Sequence, residues 1–196
     1  ADIKGLHLFT LDDFTFEKGH IYLLTGENGT GKSSLLKSFI GQFPFITGDI
    51  EIDGKLIYQP QDPYIYQRTM KDNFKLFSLT EKQTDPLVDK LDLRESLTKQ
   101  VDVLSGGHRQ KLAFIRSYLL AEDILILDEP FAQMDALSRE TCYELLNEWM
   151  NEKRIVIMVS HNKVDSGNYD REVRIADKKI KDVGRDCLRR LIFRVS

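Results

Sequence analysis

Gly26-Glu27-Asn28-Gly29-Thr30-Gly31-Lys32-Ser33 fits the pattern G-x-x-x-x-G-K-[ST] and lies between two readable elements. Before it, Ile21-Tyr22-Leu23-Leu24 is a short apolar run suited to a buried strand; after it, Ser33 to Ile40 places leucine and isoleucine at helical spacing. A glycine-rich turn between strand and helix can aim successive backbone N–H groups at one point, and the positive end of the helix dipole faces the same point. The stretch therefore predicts a phosphate-binding loop, with Ser34 counted among its contacts. Lys32 would meet the terminal phosphates as a point charge, and the Ser33 hydroxyl would share a Mg2+ that keeps several waters. The alternative is a plain glycine-rich turn, and the strand and helix on either side argue against it.

Composition bounds what surrounds this loop. With 196 residues and 41% hydrophobic content, one substantial core with a small satellite lobe is expected, as a single domain over 1–196. Lys and Arg number 28 against 31 Asp and Glu, and no basic run exceeds a pair, which disfavours a general nucleic-acid binder. Cys142 and Cys187 lie far apart without metal-type spacing, as in a reduced cytosolic protein. No run approaches the roughly 18 apolar residues of a membrane span, and Ala1-Asp2 does not resemble a secretory signal, so a membrane link is expected to run through a partner.

Outward from the loop, Ile3 to Phe9 and Phe14 to Phe16 read as short strands, an antiparallel lead-in. Gly48 to Tyr58 alternates apolar and polar residues around Asp53-Gly54, a hairpin signal that would add edge strands. Gln59-Pro60-Gln61-Asp62-Pro63 stops regular structure, and an aromatic stretch with Tyr64, Tyr66, Phe74 and Phe77 follows. From Met70 to Thr98 a polar helical pattern carries a modest apolar face, a small α-helical subdomain. Ser105 opens a longer helix to Leu120, Ile124 to Leu127 is a second buried strand, and Leu137 to Met150 an amphipathic helix. Ile155 to Val159 is a third apolar strand, Val173-Arg174-Ile175 with Lys179-Ile180 a terminal hairpin, and Asp186 to Val195 a basic amphipathic helix. The order is α/β with a mostly parallel core.

Two motifs fall at the ends of these elements. Asp128-Glu129 follows the apolar strand Ile124 to Leu127, and a parallel sheet delivers the carboxyl ends of its strands to one crevice. Asp128 would then face the metal, and Glu129, beside the γ phosphate, would act as general base on water. Leu104-Ser105-Gly106-Gly107-His108 puts glycine N–H groups and a capping serine at a helix start, a second anion site.

Together these motifs resemble the nucleotide-binding domain of the ATP-binding cassette (ABC) family over nearly the whole chain. Gly26 to Ser33 matches its Walker A loop, Asp128 and Glu129 its Walker B end, and Leu104 to His108 its Leu-Ser-Gly-Gly-Gln signature. The resemblance implies a P-loop NTPase core with a β subdomain (1–60 and 122–196) and a shortened helical subdomain carrying the signature (61–121). It also assigns Gln61, in Tyr58-Gln59-Pro60-Gln61, to the metal and attacking water. Asp135, in Ala132-Gln133-Met134-Asp135, falls to the loop crossing the dimer interface, and His161, in Val159-Ser160-His161, to the switch at the γ phosphate. The chain departs from the family at His108, which replaces Gln, in its short helical subdomain, and in offering only Phe9 or His7 as an aromatic for adenine.

Two phosphate-binding helix starts on different lobes call for a two-fold partner, so that Walker A of one copy and the Ser105 signature of the other enclose each ATP. The expected function is the ATP- and Mg2+-dependent ATPase subunit or domain of a membrane transporter. It would sit at the cytoplasmic face on a transmembrane permease docked at Tyr64 to Phe77, and would pair with a second ABC ATPase domain, identical or not. The run Gln61-Asp62-Pro63 followed by Arg68-Thr69-Met70-Lys71-Asp72-Asn73 resembles exporter-type cassettes. The rival is a soluble ABC ATPase acting on nucleic acid or ribosomes; no heptad insertion of the chromosome type is present, and a single Walker A argues against the two-cassette translation type. A non-hydrolysing nucleotide sensor is opposed by Glu129.

Overall fold

The computed structural model describes residues 2–3, 6–7, 14–42, 50–160, 167–176 and 179–182. Strands β1 (Asp2–Ile3) and β2 (Leu6–His7) form a minimal antiparallel pair. The main sheet has six strands, in the order β4 (Leu56–Gln59), β5 (Ile124–Asp128), β6 (Ile155–Val159), β3 (His20–Gly26), β7 (Arg171–Ala176) and β8 (Lys179–Asp182). All neighbours are parallel except β7 and β8, the expected terminal hairpin. The helix expected over 186–195 lies outside the described residues.

The sequence of β5 and β6 explains their central place. Every residue of both strands is buried, and up to Asp128 at the end of β5 their runs are continuously apolar rather than alternating, as a sheet covered on both faces requires. Alternate residues feed two apolar layers. Tyr22, Leu24, Ile126 and Ile157 meet Leu35 and Leu36 of helix α1 (Lys32–Phe39) on one face. Ile21, Leu23, Leu125 and Val156 share the other with Leu112, Phe114 and Ile115 of α4 (Gly106–Leu120) and Leu145 and Leu146 of α5 (Ala136–Trp149). The short helices α2 (Met70–Lys75) and α3 (Glu81–Lys90) add Met70, Phe74, Leu87 and Val88 to that second layer. Thr69 caps α2 by accepting from the Asp72 N–H at 3.1 Å.

Two expected features differ. Phe14 to Phe16 is not a strand; the Phe16 ring packs edge-on against Tyr22 and Phe39, and the Glu17 N–H donates to the Tyr22 hydroxyl at 2.8 Å. Side-chain contacts, not a ladder, hold that segment to the sheet. Asp53-Gly54 does not join two strands: 50–55 has no strand, and only β4 follows. Gly54, at φ +128°, lies so close to Asp123 that a Cβ would meet its Cβ at 2.8 Å, while Asp123 Oδ2 accepts from the Lys55 N–H at 2.8 Å. That contact starts β4 as a parallel edge strand beside β5 instead of folding the chain back. The aromatic stretch is divided: Phe74 is buried, whereas Tyr64 is 71% and Tyr66 38% exposed.

Candidate functional site

The phosphate loop is built by three glycines with positive φ. Gly26 ends β3 at φ +150°, where a Cβ would stand 2.7 Å from the Ile175 carbonyl oxygen, so β7 leaves no room for a side chain. Gly29 lies at φ +80° and Gly31 at φ +99°, the latter preceding α1 in the left-handed region that only glycine enters at little cost. Thr30 closes the loop on itself, its hydroxyl donating to the Glu27 carbonyl at 2.9 Å. No side chain caps α1 and no acid stands in its first turn, so its orphan N–H groups and dipole act without a counter-charge of their own.

Lys32 is only 7% exposed, with Nζ donating to the carbonyl oxygens of Gly26 at 2.8 Å and Glu27 at 2.9 Å. Burial lowers its pKa, and the charges of Glu129 and Asp128 act in the opposite direction. Asp128, at the end of β5, is 2% exposed and accepts from the Ser33 hydroxyl at 3.3 Å and from the Tyr58 hydroxyl at 3.2 Å. Burial first, and then the Asp128 charge, push the Tyr58 phenol above its ordinary range. Glu129 takes φ +50°, uncommon for an acid, and its N–H donates to the Val159 carbonyl at 3.0 Å. The turn fixes the acid over the end of β6, the strand inserted between β3 and β5. Walker A and Walker B strands are therefore not adjacent, and the crevice spans three strand ends. Gln59 pairs with Leu127, so exposed Gln61 leaves the sheet edge at the level where β5 delivers Asp128 and Glu129.

A second cluster gathers the signature. Ser105 Oγ accepts from the His108 N–H at 3.2 Å, capping α4, and lies 2.5 Å from His108 Nδ1. Burial lowers the His108 pKa, with Lys111 and Lys99 adding to the effect and Asp92 opposing it. Asp135 caps α5, accepting from the Ser138 N–H at 2.8 Å and hydroxyl at 2.7 Å, contacts that hold its carboxyl well below the usual range. The two loops are tied together: the Gln133 N–H donates to Gln110 Oε1 at 2.7 Å, and Lys111 Nζ lies 3.5 Å from Asp135 Oδ2. Among the described contacts Ser105 to His108 connect to this α5 entry, whereas Lys32, Ser33, Asp128 and Glu129 form the other group.

His161 and Phe9 lie outside the described residues, and only the backbone of His7 is described. Tyr58 and Gln110 were not among the residues singled out as site residues; Tyr58 stands inside the quoted Gln61 run, but its reach to Asp128 has no local sequence signal. The donor set at Ser33 and Asp128, one hydroxyl and one carboxylate, is the sparse all-oxygen kind that suits a Mg2+ also bound to water and phosphate. Among the described residues no three His, Cys, Asp or Glu converge as a metal cage. A cavity of about 830 Å³ lined by Phe14, Phe16, Leu56, Ile124 and Ile155 lies over the opposite, amino-terminal ends of the strands, away from this chemistry. No described helix is long and apolar enough to cross a membrane.

Comparison with known proteins identifies the family. The family model described as ABC transporter matches residues 10–132. A probable metal transport system ATP-binding protein of Thermotoga maritima is 35% identical over 161 residues, covering 76% of this chain and 66% of the relative. A thiamine import ATP-binding protein of Vibrio vulnificus is 30% identical, covering 79% and 75%. A solved ATP binding subunit of an ABC transporter superposes with a TM-score of 0.75 at 25% identity, covering 88% of this chain and 83% of that one. The chain thus spans 66% and 62% of the length of the first two curated relatives.

Proposed function

Since the chain belongs to the ABC transporter family as an ATP-binding domain of the ATPase class, we propose that it binds and hydrolyses Mg·ATP to drive a membrane transporter. The observation that carries this is the meeting of Ser33 and Asp128, 95 residues apart, at 3.3 Å beside the buried Lys32. In this reading Lys32 and the α1 N–H groups hold the β and γ phosphates, with Gly26 to Ser34 as the cradle. Ser33, Asp128 and Gln61 hold Mg2+, which would supply charge neutralisation at the phosphates. Glu129 takes the proton of the attacking water, and His161 completes the γ-phosphate contacts.

Each ATP is enclosed by a second domain, which brings its Ser105, Gly106, Gly107, His108 and Asp135 to the Walker A loop. The separation of this chain into two clusters supports that arrangement, because the signature contacts described run to the α5 entry. ATP acts as part of the interface, and hydrolysis removes the bridge and opens the pair. The helical region 61–121 serves as a subdomain that moves with the signature. The partner is a transmembrane permease at the cytoplasmic face. The exposed Tyr64, Tyr66 and Leu76 support docking beside Arg116, which donates to the Tyr64 carbonyl at 3.0 Å and lies 4.7 Å from the Phe77 centroid. The relatives cited are named for metal transport and thiamine import, whereas the Gln61 run resembles exporters, so the transport ATPase is carried forward without a direction. The test is ATP turnover by purified protein, together with recovery of partners from detergent-solubilised membranes. A polytopic partner supports transport, and a soluble nucleic-acid or ribosomal assembly in its place overturns it.

A further inference from the structure

Asp128 is nearly buried, and an ionised carboxylate can only accept hydrogen bonds, so each of its oxygens needs a donor. The two oxygens have different ones. Ser33 Oγ faces Oδ1 at 3.3 Å, while the Tyr58 phenol donates to Oδ2 at 3.2 Å. Register explains the second contact. Tyr58 pairs with Ile126 across the parallel β4–β5 ladder, and both contribute to the same apolar layer. Asp128 is two residues beyond Ile126 and therefore on the same face. A side chain as long as tyrosine spans that step diagonally.

The geometry points to Tyr58 as a positioning residue for the metal: its hydroxyl fixes one oxygen of Asp128 so that the other is presented beside Ser33. This rests on the reading of Ser33 and Asp128 as the Mg2+ donors. The phenol acts through the oxygen that faces away from Ser33, so it does not compete with a metal at Oδ1. Its ring is held by the apolar layer, which limits rotation of the carboxylate it holds. Partners that orient a metal ligand in this way are typically worth about 10- to 100-fold in metal affinity. The same strand continues through Gln59 and Pro60 to Gln61, so β4 would set both a metal donor and the orientation of another.

Tyr58→Phe removes the hydroxyl and keeps the ring. Mn2+ is the probe, its affinity for the protein–ATP complex read by electron paramagnetic resonance in a Glu129→Gln background that prevents turnover. The expected result is Mn2+ affinity about 10- to 100-fold weaker in Tyr58→Phe, with ATP binding in EDTA within about twofold of the parent. Equal Mn2+ affinity in the two proteins overturns the role of Tyr58 and leaves the metal reading intact. If the parent complex holds Mn2+ no more tightly than free ATP does, both fall. A loss of thermal stability and metal-free ATP binding without a change in Mn2+ affinity identifies a merely structural tyrosine and also overturns the inference. Should Tyr58→Phe fail to fold, Tyr58→Met, likewise without a hydroxyl, is read by the same criteria.

Discussion

Gly107 packs against the backbone of Gln133, where a Cβ would meet the carbonyl oxygen at 2.8 Å. The first turn of α4 and the entry to α5 are thus fitted to each other, with the Gln133 N–H bonded to Gln110 Oε1 as a second tie. Gly106 also faces Gln133, but there the obstacle is the side-chain amide of an exposed residue, which can swing away. The two glycines should therefore respond differently to alanine. Gly107→Ala is expected to cost about 1–3 kcal/mol by overpacking. Gly106→Ala should stay within about 1 kcal/mol of wild type, helped by the better helix propensity of alanine. Urea unfolding of the two variants checks the order, and equal losses would show that the Gln133 backbone yields as easily as its side chain.

Glu129→Gln keeps shape and removes basicity at the acid following the buried Asp128. Hydrolysis should fall by at least about 100-fold while ATP still binds, and ATP should then hold a long-lived dimer detectable by size-exclusion chromatography. The φ of +50° is unchanged in character by the substitution, so stability should be close to wild type. Turnover at the wild-type rate would remove Glu129 from the role of base.

Lys32 and Ser105 lie in separate clusters of one chain, so each should act on a nucleotide with the other from a second chain. Lys32→Ala and Ser105→Arg should each be inactive alone. A mixture forms heterodimers in which one site carries both lesions and the other carries neither. ATPase activity should appear on mixing, to at most about half of the wild-type rate for a full heterodimer by site counting. Heterodimers demonstrated by cross-linking yet no more active than either parent would count against the composite site.

Much of this site was legible because its signals are local. The glycines of the phosphate loop are dictated by backbone conformations within eight residues, and Ser105 announces a helix start that it caps in the structure, whereas the cap that Asp135 gives to α5 was not read from the sequence. Continuous apolar runs likewise identified β5 and β6 as central strands. What escaped was non-local. The insertion of β6 between β3 and β5 is a choice of topology that no run encodes. Asp53-Gly54 carries a hairpin dipeptide, but Asp123, 70 positions after Asp53, decides that the chain continues into a parallel edge. Tyr58 reads as one more strand aromatic until the register with β5 shows what its hydroxyl can reach.

His108 stands where the family has glutamine, and its Nδ1 lies 2.5 Å from the Ser105 hydroxyl that caps the same helix. A neutral imidazole accepts the hydroxyl's hydrogen bond at Nδ1; a protonated one donates to Ser105 Oγ and frees the hydroxyl to donate to a phosphate oxygen. In the free chain burial first, then Lys111 and Lys99, lower the pKa from its ordinary value against the weaker pull of Asp92, which favours the neutral ring. The sign for folding follows: a histidine whose folded pKa is depressed contributes stability above its unfolded pKa and loses it as pH falls from that value through the lower folded one. Urea stability of the ATP-free protein should accordingly drop more steeply below pH 6.5 than that of His108→Gln. A triphosphate arriving from a second chain reverses the balance by favouring the cation. Proton uptake is then linked to dimerisation, which should strengthen from pH 8 to 6 by about 1 kcal/mol at most after solvent screening. His108→Gln restores the family residue and leaves every other histidine in place, which makes that variant the control. The ATP-dependent dimer dissociation constants of both proteins, in the Glu129→Gln background at fixed salt, should diverge as pH falls. Parallel curves would mean that His108 fills the glutamine position without coupling protons to the interface.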